Sequence, residues 1–379
     1  MKKRAYGWAA LGLLALVLGL RTDEAQARTL SYLVVAGTGE VLTLDTDTDT
    51  ILARRSLQNL RELMWSSGRV VGSPADNLLF VIDGRQVACL LAYDFRTLAF
   101  KREVLVRHDD VPELLVPPRA PHFFALWTPP PPSVEDPAVV GQPGVEYAPE
   151  LLLRIDKGTL QPLGNPVEVP VLGDEQGNRR FAYSADGTRL YVYSDARAIT
   201  TFDAQSLQPV RTLDLTPRVT PGSWGWGVND VQADKALVTE NNQLNDTAPG
   251  RYTLFTVDLR DGSQSPRIAT GREGDGFLTP QGDKAIFREA TGVSGLERLQ
   301  IYEVATGTKL GQIEFTAYGR SDLLAVRPAG DKAYVLSRGG PGTSGTWTLT
   351  SISLVTYSVV KQIAVPSSVI EKIIFFEQP

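Results

Sequence analysis

From Phe181 to Leu215 apolar and polar positions alternate in four short runs, FAYSA, RLYVYS, ITTFD and PVRTLDL, separated by DGT, DAR and AQSLQ. Period-2 runs bounded by Gly, Asp and Ser predict strands joined by tight turns. Four strands in so short a stretch predict one antiparallel meander, the size of a propeller blade.

The rest of the chain repeats that pattern. An apolar strand ends on an acid and is followed by a small turn and a second strand in LTLDTDTDTIL (Asp45), LLAYDFRTLAF (Asp94), LLRIDKGTLQP (Asp156), ITTFDAQSLQP (Asp203), LFTVDLRDGSQ (Asp258) and LQIYEVATGTK (Glu303). SISLVTYSVV is a seventh copy, in which Leu354 or Val355 stands where the acid is expected. A carboxylate at this point accepts hydrogen bonds from turn N–H groups, a structural role. A second mark is the turn between the first two strands of a unit: PADN at Pro74, SADG at Ser184, QADK at Gln232, PQGDK at Pro280 and PAGDK at Pro328, with RAPHFF near Pro121 in the third unit. Asp186, Asp234, Asp283 and Asp331 recur at intervals of 48, 49 and 48 residues. Self-similarity at a fixed period is the signature of a repeat architecture.

Seven marks predict seven units, but the first has only three strands, in ARTLSYLVVAG, EVLTLDTDT and ILARRSLQ. The missing strand stands at the other end, as VIEKIIFFE. Pairing it with the N-terminal three closes the ring and removes the open edge between first and last blades. The expected fold is all-β: a single seven-bladed propeller of four-stranded antiparallel blades, closed 3+1, over residues 28–379.

With strands lettered a to d along each unit, the a–b and c–d turns share one face and are short and uniform. The irregular stretches fall on the other face: the Pro-rich b–c insertion over residues 127–150, then ENNQLNDTAPGRY, EATGVSGLERL and RGGPGTSGTW. Loops on a rigid scaffold carry function more often than core strands, so the b–c and d–a face is the expected binding face. Its d–a connections bring Arg179 and Arg180, Trp224, Trp226, Asn229 and Asp230 (GSWGWGVND), Arg272, Glu273 and Asp275 (GREGDGF), and Tyr318, Arg320 and Asp322 (AYGRSD) toward the channel. Aromatic rings beside Arg and Asp suit a small polar ligand; the alternative is that the tryptophans pack between blades and the charges pair or are solvated.

Composition narrows the chemistry. The 379 residues carry a net charge of −5, and no dense Lys/Arg cluster lies beyond the first residues, which disfavours nucleic acid. Lys2, Lys3 and Arg4 precede an apolar run from Trp8 to Leu20 and then Ala25-Gln26-Ala27, the pattern of a signal peptide over residues 1–27 cleaved before Arg28. The run is short for a membrane span, which needs about 20 apolar residues, so cleavage and a periplasmic or extracellular location are expected, with retention as an N-terminal anchor the alternative. Cys89 is the only cysteine and sits in an apolar strand, which predicts a buried thiol and no internal disulfide. His108 and His122 are the only histidines, so no His-rich metal site is expected. DTDTDT (Asp45 to Thr50) lacks the Gly and distal Glu of an EF-hand and reads as a solvated turn. GTSGT at Gly342 only approaches the G-x-S-x-G of a nucleophile elbow, and His108 beside Asp109 and Asp110 is the one other acid–base candidate. No catalytic residue is assigned.

The units bearing SADGTRLYV, QADKALV and PAGDKAYV, each followed by an apolar strand ending in Asp or Glu, resemble the YVTN-type bacterial β-propeller superfamily, across nearly all of residues 29–376. That grouping holds surface-layer-like propellers, lactonase-type propellers and the propeller subunits of periplasmic amine dehydrogenases. The resemblance implies an exported propeller. It allows three roles: a non-catalytic binding module for a protein partner or small polar ligand, the propeller subunit of a periplasmic oxidoreductase, or a lactone hydrolase. With no C-x-x-C-H or quinone-forming signature in the chain, no cofactor is expected in it; a quinone or haem would be carried by a partner.

Overall fold

The structure is a computed structural model that describes residues 28–35, 38–60, 70–83, 89–105, 113–117, 120–127, 150–169, 180–193, 198–219, 225–241, 252–270, 274–290, 296–316, 321–338, 347–365 and 370–378. These residues form seven four-stranded antiparallel sheets, and the protein is a seven-bladed β-propeller. The Phe181–Leu215 meander is blade 4, with strands Arg180–Tyr183, Arg189–Tyr193, Ala198–Asp203 and Pro209–Asp214 in sheet order a-b-c-d. Strand a of each blade touches strand a of the next from blade 7 through blade 1 to blade 6, which sets these strands around the channel. The expected signal peptide and all of the Pro-rich insertion but its flanking strand residues, Trp127 and Glu150, lie outside the described residues. Among the described residues no helix is long and apolar enough to cross a membrane.

Blade 1 closes the ring as the repeat count requires. Ile370–Gln378 is its strand a and pairs antiparallel with Arg28–Val35, running from Arg28↔Gln378 to Val35↔Ile370. Glu40–Asp45 and Thr50–Ser56 complete the sheet.

Period-2 alternation explains how one strand serves two neighbours. In Lys332–Arg338 of blade 7, Ala333 and Val335 pack on blade 6, whereas Tyr334 and Leu336 pack on blade 1. In Leu78–Asp83 of blade 2, Phe80 and Ile82 face blade 3 while Leu79 and Val81 face blade 1. Both faces of a middle strand are therefore buried, and the strand reads as a continuous apolar run. Each of the seven blade–blade seams holds its own apolar cluster. Cys89 is buried in one of them. In five blades the outer strand is largely exposed, and in the same five a bulge offsets strand c against strand d, a device that discourages edge-to-edge pairing.

The c–d turns confirm the capping role of the acid. Asp94 Oδ1 accepts from the N–H groups of Arg96 (3.1 Å) and Thr97 (2.9 Å), and Asp203 Oδ1 from those of Gln205 (3.1 Å) and Ser206 (2.7 Å). In blade 7 the cap is neither Leu354 nor Val355 but Ser353, whose Oγ accepts from the N–H groups of Val355 (3.3 Å) and Thr356 (3.0 Å). A hydroxyl oxygen fills the same acceptor position, which a search for an acid passes over. Four residues after each cap the backbone turns left-handed, at Asp49, Leu98, Leu160, Leu207, Gly262, Gly307 and Tyr357. Left-handed leucine costs on the order of 1 kcal/mol. Leu98, Leu160 and Leu207 are buried in blade–blade clusters, and burial of about 1.5–3 kcal/mol each offsets the strain.

The caps also predict acid sensitivity. Hydrogen bonding to Thr97 holds the Asp94 carboxyl down at about 2, and Ser184 and Thr188 hold Asp186 at about 2. A carboxyl depressed in the folded state stabilises fully above its unfolded value and loses that contribution as pH falls toward the folded one. Folding stability is therefore expected to drop between about pH 4 and pH 2. In urea titrations over this window Asp94→Asn should flatten the pH slope by about one proton; an unchanged slope would refute the assignment.

The DTDTDT turn differs from the solvated turn expected. Asp49 is only 1% exposed. It accepts from Lys332 Nζ (2.9 Å), Tyr334 OH (2.8 Å) and Ser351 Oγ (2.8 Å), all of blade 7.

Candidate functional site

The described cavity lies at the channel mouth on the face of short turns, opposite the face the loop irregularities favoured. It encloses about 500 Å³ between blades 1, 2, 3 and 7. Its walls are the a–b turn of blade 2 (Ser73 to Ala75), Val116 and Pro117 of blade 3, Arg327 to Ala329 of blade 7, and Phe375 to Glu377 with Thr29 of blade 1.

Each wall is placed by local chemistry. Pro74–Asp76 is one 3-10 turn with proline at its start and Asn77 left-handed after it (φ 55°), which turns the chain sharply back into strand b. Gly72 lets that turn approach the closing strand, since a Cβ there would lie 2.7 Å from Ile374 Cγ2 and 2.8 Å from Phe95 Cε2. Phe376 is held at 4.7 Å from the Tyr32 ring and edge-on at 5.0 Å from Phe95. This wall is therefore closely packed.

The polar groups around the cavity are committed to holding blades together. Arg327 forks onto Asp331 (2.9 and 2.8 Å) and reaches Asp47 of blade 1 at 2.6 Å. Lys157 of blade 3 is 4% exposed, and its ammonium reaches across to blade 2, to Asp76 Oδ2 (2.5 Å) and Ser73 Oγ (3.0 Å). Partial burial would raise the Asp76 carboxyl, yet the Lys157 ammonium and Ser73 hydroxyl hold it below its ordinary value. Similar ties run between other a–b turns: Ala185 N–H to Asp234 (3.3 Å), Lys235 Nζ to Gly282 O (2.8 Å) and Gln281 Nε2 to Pro328 O (2.7 Å). The uniform turns form a hydrogen-bonded girdle, which explains why they vary little in length. The cavity surface left over is mainly Pro74, Ala75, Val116, Pro117, Pro328, Ala329 and the two phenylalanines, with Glu377 at the rim.

Of the residues expected at the opposite mouth, Arg179, Trp224, Arg272, Glu273, Tyr318 and Arg320 lie outside the described residues. Arg180, Trp226, Asp275 and Asp322 stand in the a strands of blades 4, 5, 6 and 7, paired with Tyr193, Glu240, Arg288 and Leu336. Asn229 and Asp230 sit at a bulge in strand a of blade 5. Asn229 Oδ1 accepts from Thr239 Oγ1 (2.6 Å), and Asp230 Oδ2 accepts from the Leu278 N–H of blade 6 (2.9 Å), a tie between blades. His108 lies outside the described residues, while His122 opens strand b of blade 3, edge-on to Phe124 at 5.1 Å. Burial, then the Arg154 and Lys157 charges, push its imidazole below the ordinary value.

No family model and no curated protein matches the chain. Solved structures share its fold. A 6-phosphogluconolactonase-like protein from Bacteroides uniformis is 15% identical over 92% of this chain and 100% of its own, with a TM-score of 0.56. The dihydro-heme d1 dehydrogenase NirN is 12% identical over 90% of this chain and 74% of its own, at 0.53. AztD from Citrobacter koseri is 13% identical over 93% and 98%, at 0.52. At these identities the likeness is one of fold.

Proposed function

We propose that the chain is an exported, non-catalytic binding module that takes a largely apolar group of a ligand or partner into the channel-mouth cavity. The observation that carries the reading is the commitment of Arg327, Lys157, Asp76 and Ser73 to blade-to-blade bonds. Those groups shape a wall and are held away from proton transfer, and the surface they leave is apolar, as in most small-molecule sites. The basic residues, apolar run and Ala25-Gln26-Ala27 at the N-terminus support export, as does the resemblance of the blade motifs to YVTN-type propellers. The fold neighbours include a dehydrogenase and a lactonase-like protein, so the fold does not choose a role and the site must. In this reading the chain carries no cofactor of its own.

The test fills the cavity. The fluorescent aromatic sulfonate 1-anilinonaphthalene-8-sulfonate serves as probe, and Ala75→Trp and Ala329→Trp place an indole on exposed turn positions of the wall. Wild-type protein is expected to bind the probe saturably at one site, and each variant to bind it at least about tenfold more weakly with an unchanged melting temperature, the equivalent of about 1.4 kcal/mol. Equal probe binding by folded variants would remove the cavity from the reading.

A further inference from the structure

Outside the cavity, the outer rim between blades 4 and 5 carries an arrangement that the binding reading does not use. Arg211 lies on the exposed strand d of blade 4, and Arg218 on the 3-10 turn Thr216–Arg218 that follows it. Both side chains reach over the c–d turn of blade 5. Arg211 Nη1 donates to Arg260 O (3.2 Å), Arg218 Nε to Gly262 O (3.2 Å), and Arg218 Nη1 back to Asp214 O (2.8 Å). The two guanidinium groups then converge on one point. A Cβ built on Gly262 (φ 80°) would lie 2.6 Å from Arg218 Nη2 and 3.4 Å from Arg211 Nη2, so the nitrogens are no farther apart than those two distances end to end. Glycine is the residue that leaves this point open.

The neighbouring charged groups make their hydrogen bonds elsewhere. Arg260 is paired with Asp258 (2.6 Å), and Arg267 with the buried Glu240. Asp214 caps the Thr216 N–H (2.8 Å) and Asp261 the Ser263 N–H (2.7 Å). Among the described residues, Arg211 and Arg218 hydrogen-bond only to backbone carbonyls, which supply partial charge but no counterion. Two like charges are thus held side by side by the backbone of two blades, with N–H groups left over on a shared opening. Paired guanidinium forks of this kind match the several oxygens of a phosphate or sulfate group.

We propose that Arg211 and Arg218, above Gly262, form an oxyanion clamp for a phosphate or sulfate group, free or as the ester of a small molecule. The site is separate from the channel-mouth cavity and does not depend on it.

Isothermal titration of the mature chain with inorganic phosphate, sulfate, phenyl phosphate and acetate, at ionic strength fixed with sodium chloride, tests the clamp. Saturable one-site binding of phosphate or sulfate is expected, with acetate weaker because it offers two oxygens in place of four. Tighter binding of phenyl phosphate would identify an ester as the preferred form, and equal binding a free ion. Arg211→Gln removes a single exposed 3.2 Å bond to the fold and should weaken phosphate binding about tenfold. Gly262→Ala, which puts a methyl group 2.6 Å from Arg218 Nη2 and 3.4 Å from Arg211 Nη2 and must displace the first, should abolish it, with circular dichroism confirming the fold. Arg211→Gln binding phosphate as wild type does, or a wild-type protein indifferent to phosphate over chloride, would overturn the proposal.

Discussion

A chain ending at residue 369 is expected not to fold. The lost segment, Ile370–Gln378, is the innermost strand of blade 1 and supplies the antiparallel partner of Arg28–Val35 along its whole length. Its Ile370 and Ile373 belong to the apolar cluster between blades 7 and 1, and Ile374 to the one between blades 1 and 2. Burial of each isoleucine is worth about 1.5–3 kcal/mol, and a domain is held together by about 5–15 kcal/mol in all. Truncation also leaves the first strand as a bare edge and opens the ring, so blades 7 and 2 lose a neighbour together. The expected result is aggregated or protease-sensitive protein with no cooperative melt. A circular permutant that joins residue 378 to Arg28 by a short turn, with new ends between residues 366 and 369, keeps the strand and should melt cooperatively. A truncated chain that melted like the full one would show that the ring does not depend on its closure.

That closing strand was legible in the chain because the repeat counts itself: seven turn marks, one unit short of a strand, one strand left over. The turn caps were legible for a similar reason, since Asp94 and Asp203 serve N–H groups two and three residues away, and local bonds leave local patterns. Ser353 escaped because serine offers the same acceptor atom without the charge. The left-handed leucines escaped too: Leu98 stands where glycine would announce the turn, and only burial between blades explains why leucine is tolerated. The cavity is illegible in principle from one repeat. It exists where Thr29, Ser73, Pro117, Arg327 and Phe376 meet, and no short window of sequence contains that meeting. The uniform turns carry no sequence sign of the cavity or of the ties that shape it.

Asp49→Ala is expected to cost about 3–5 kcal/mol, the loss that follows when one partner of a buried ion pair is removed. The local sequence around Asp49 shows only a solvated turn, because its partners, Lys332, Tyr334 and Ser351, lie hundreds of residues further along the chain. Removing the carboxylate leaves the Lys332 ammonium in the seam between blades 7 and 1 with Thr46 O as a remaining acceptor (2.5 Å). The Tyr334 hydroxyl and Ser351 Oγ lose their short acceptor as well and keep only long contacts, to Thr46 O (3.5 Å) and Lys361 O (3.4 Å), and a poorly satisfied buried donor adds to the loss. Alanine is in addition strained at the left-handed backbone of this position, φ 51°. Asp49→Asn keeps the backbone conformation and one oxygen, so it should cost less, and the difference between the two variants reads the acceptor and the strain together. The charge is isolated by a cycle with Lys332→Met, which keeps the buried stem and removes the ammonium. The double variant Asp49→Asn/Lys332→Met should recover at least about 1 kcal/mol over the sum of the single losses, because neither partner is then left charged alone. Urea midpoints of the four proteins measure this directly. An Asp49→Ala protein within about 1 kcal/mol of wild type, below the range for a broken buried pair, would mean that the seam between blades 7 and 1 is held by its apolar cluster alone.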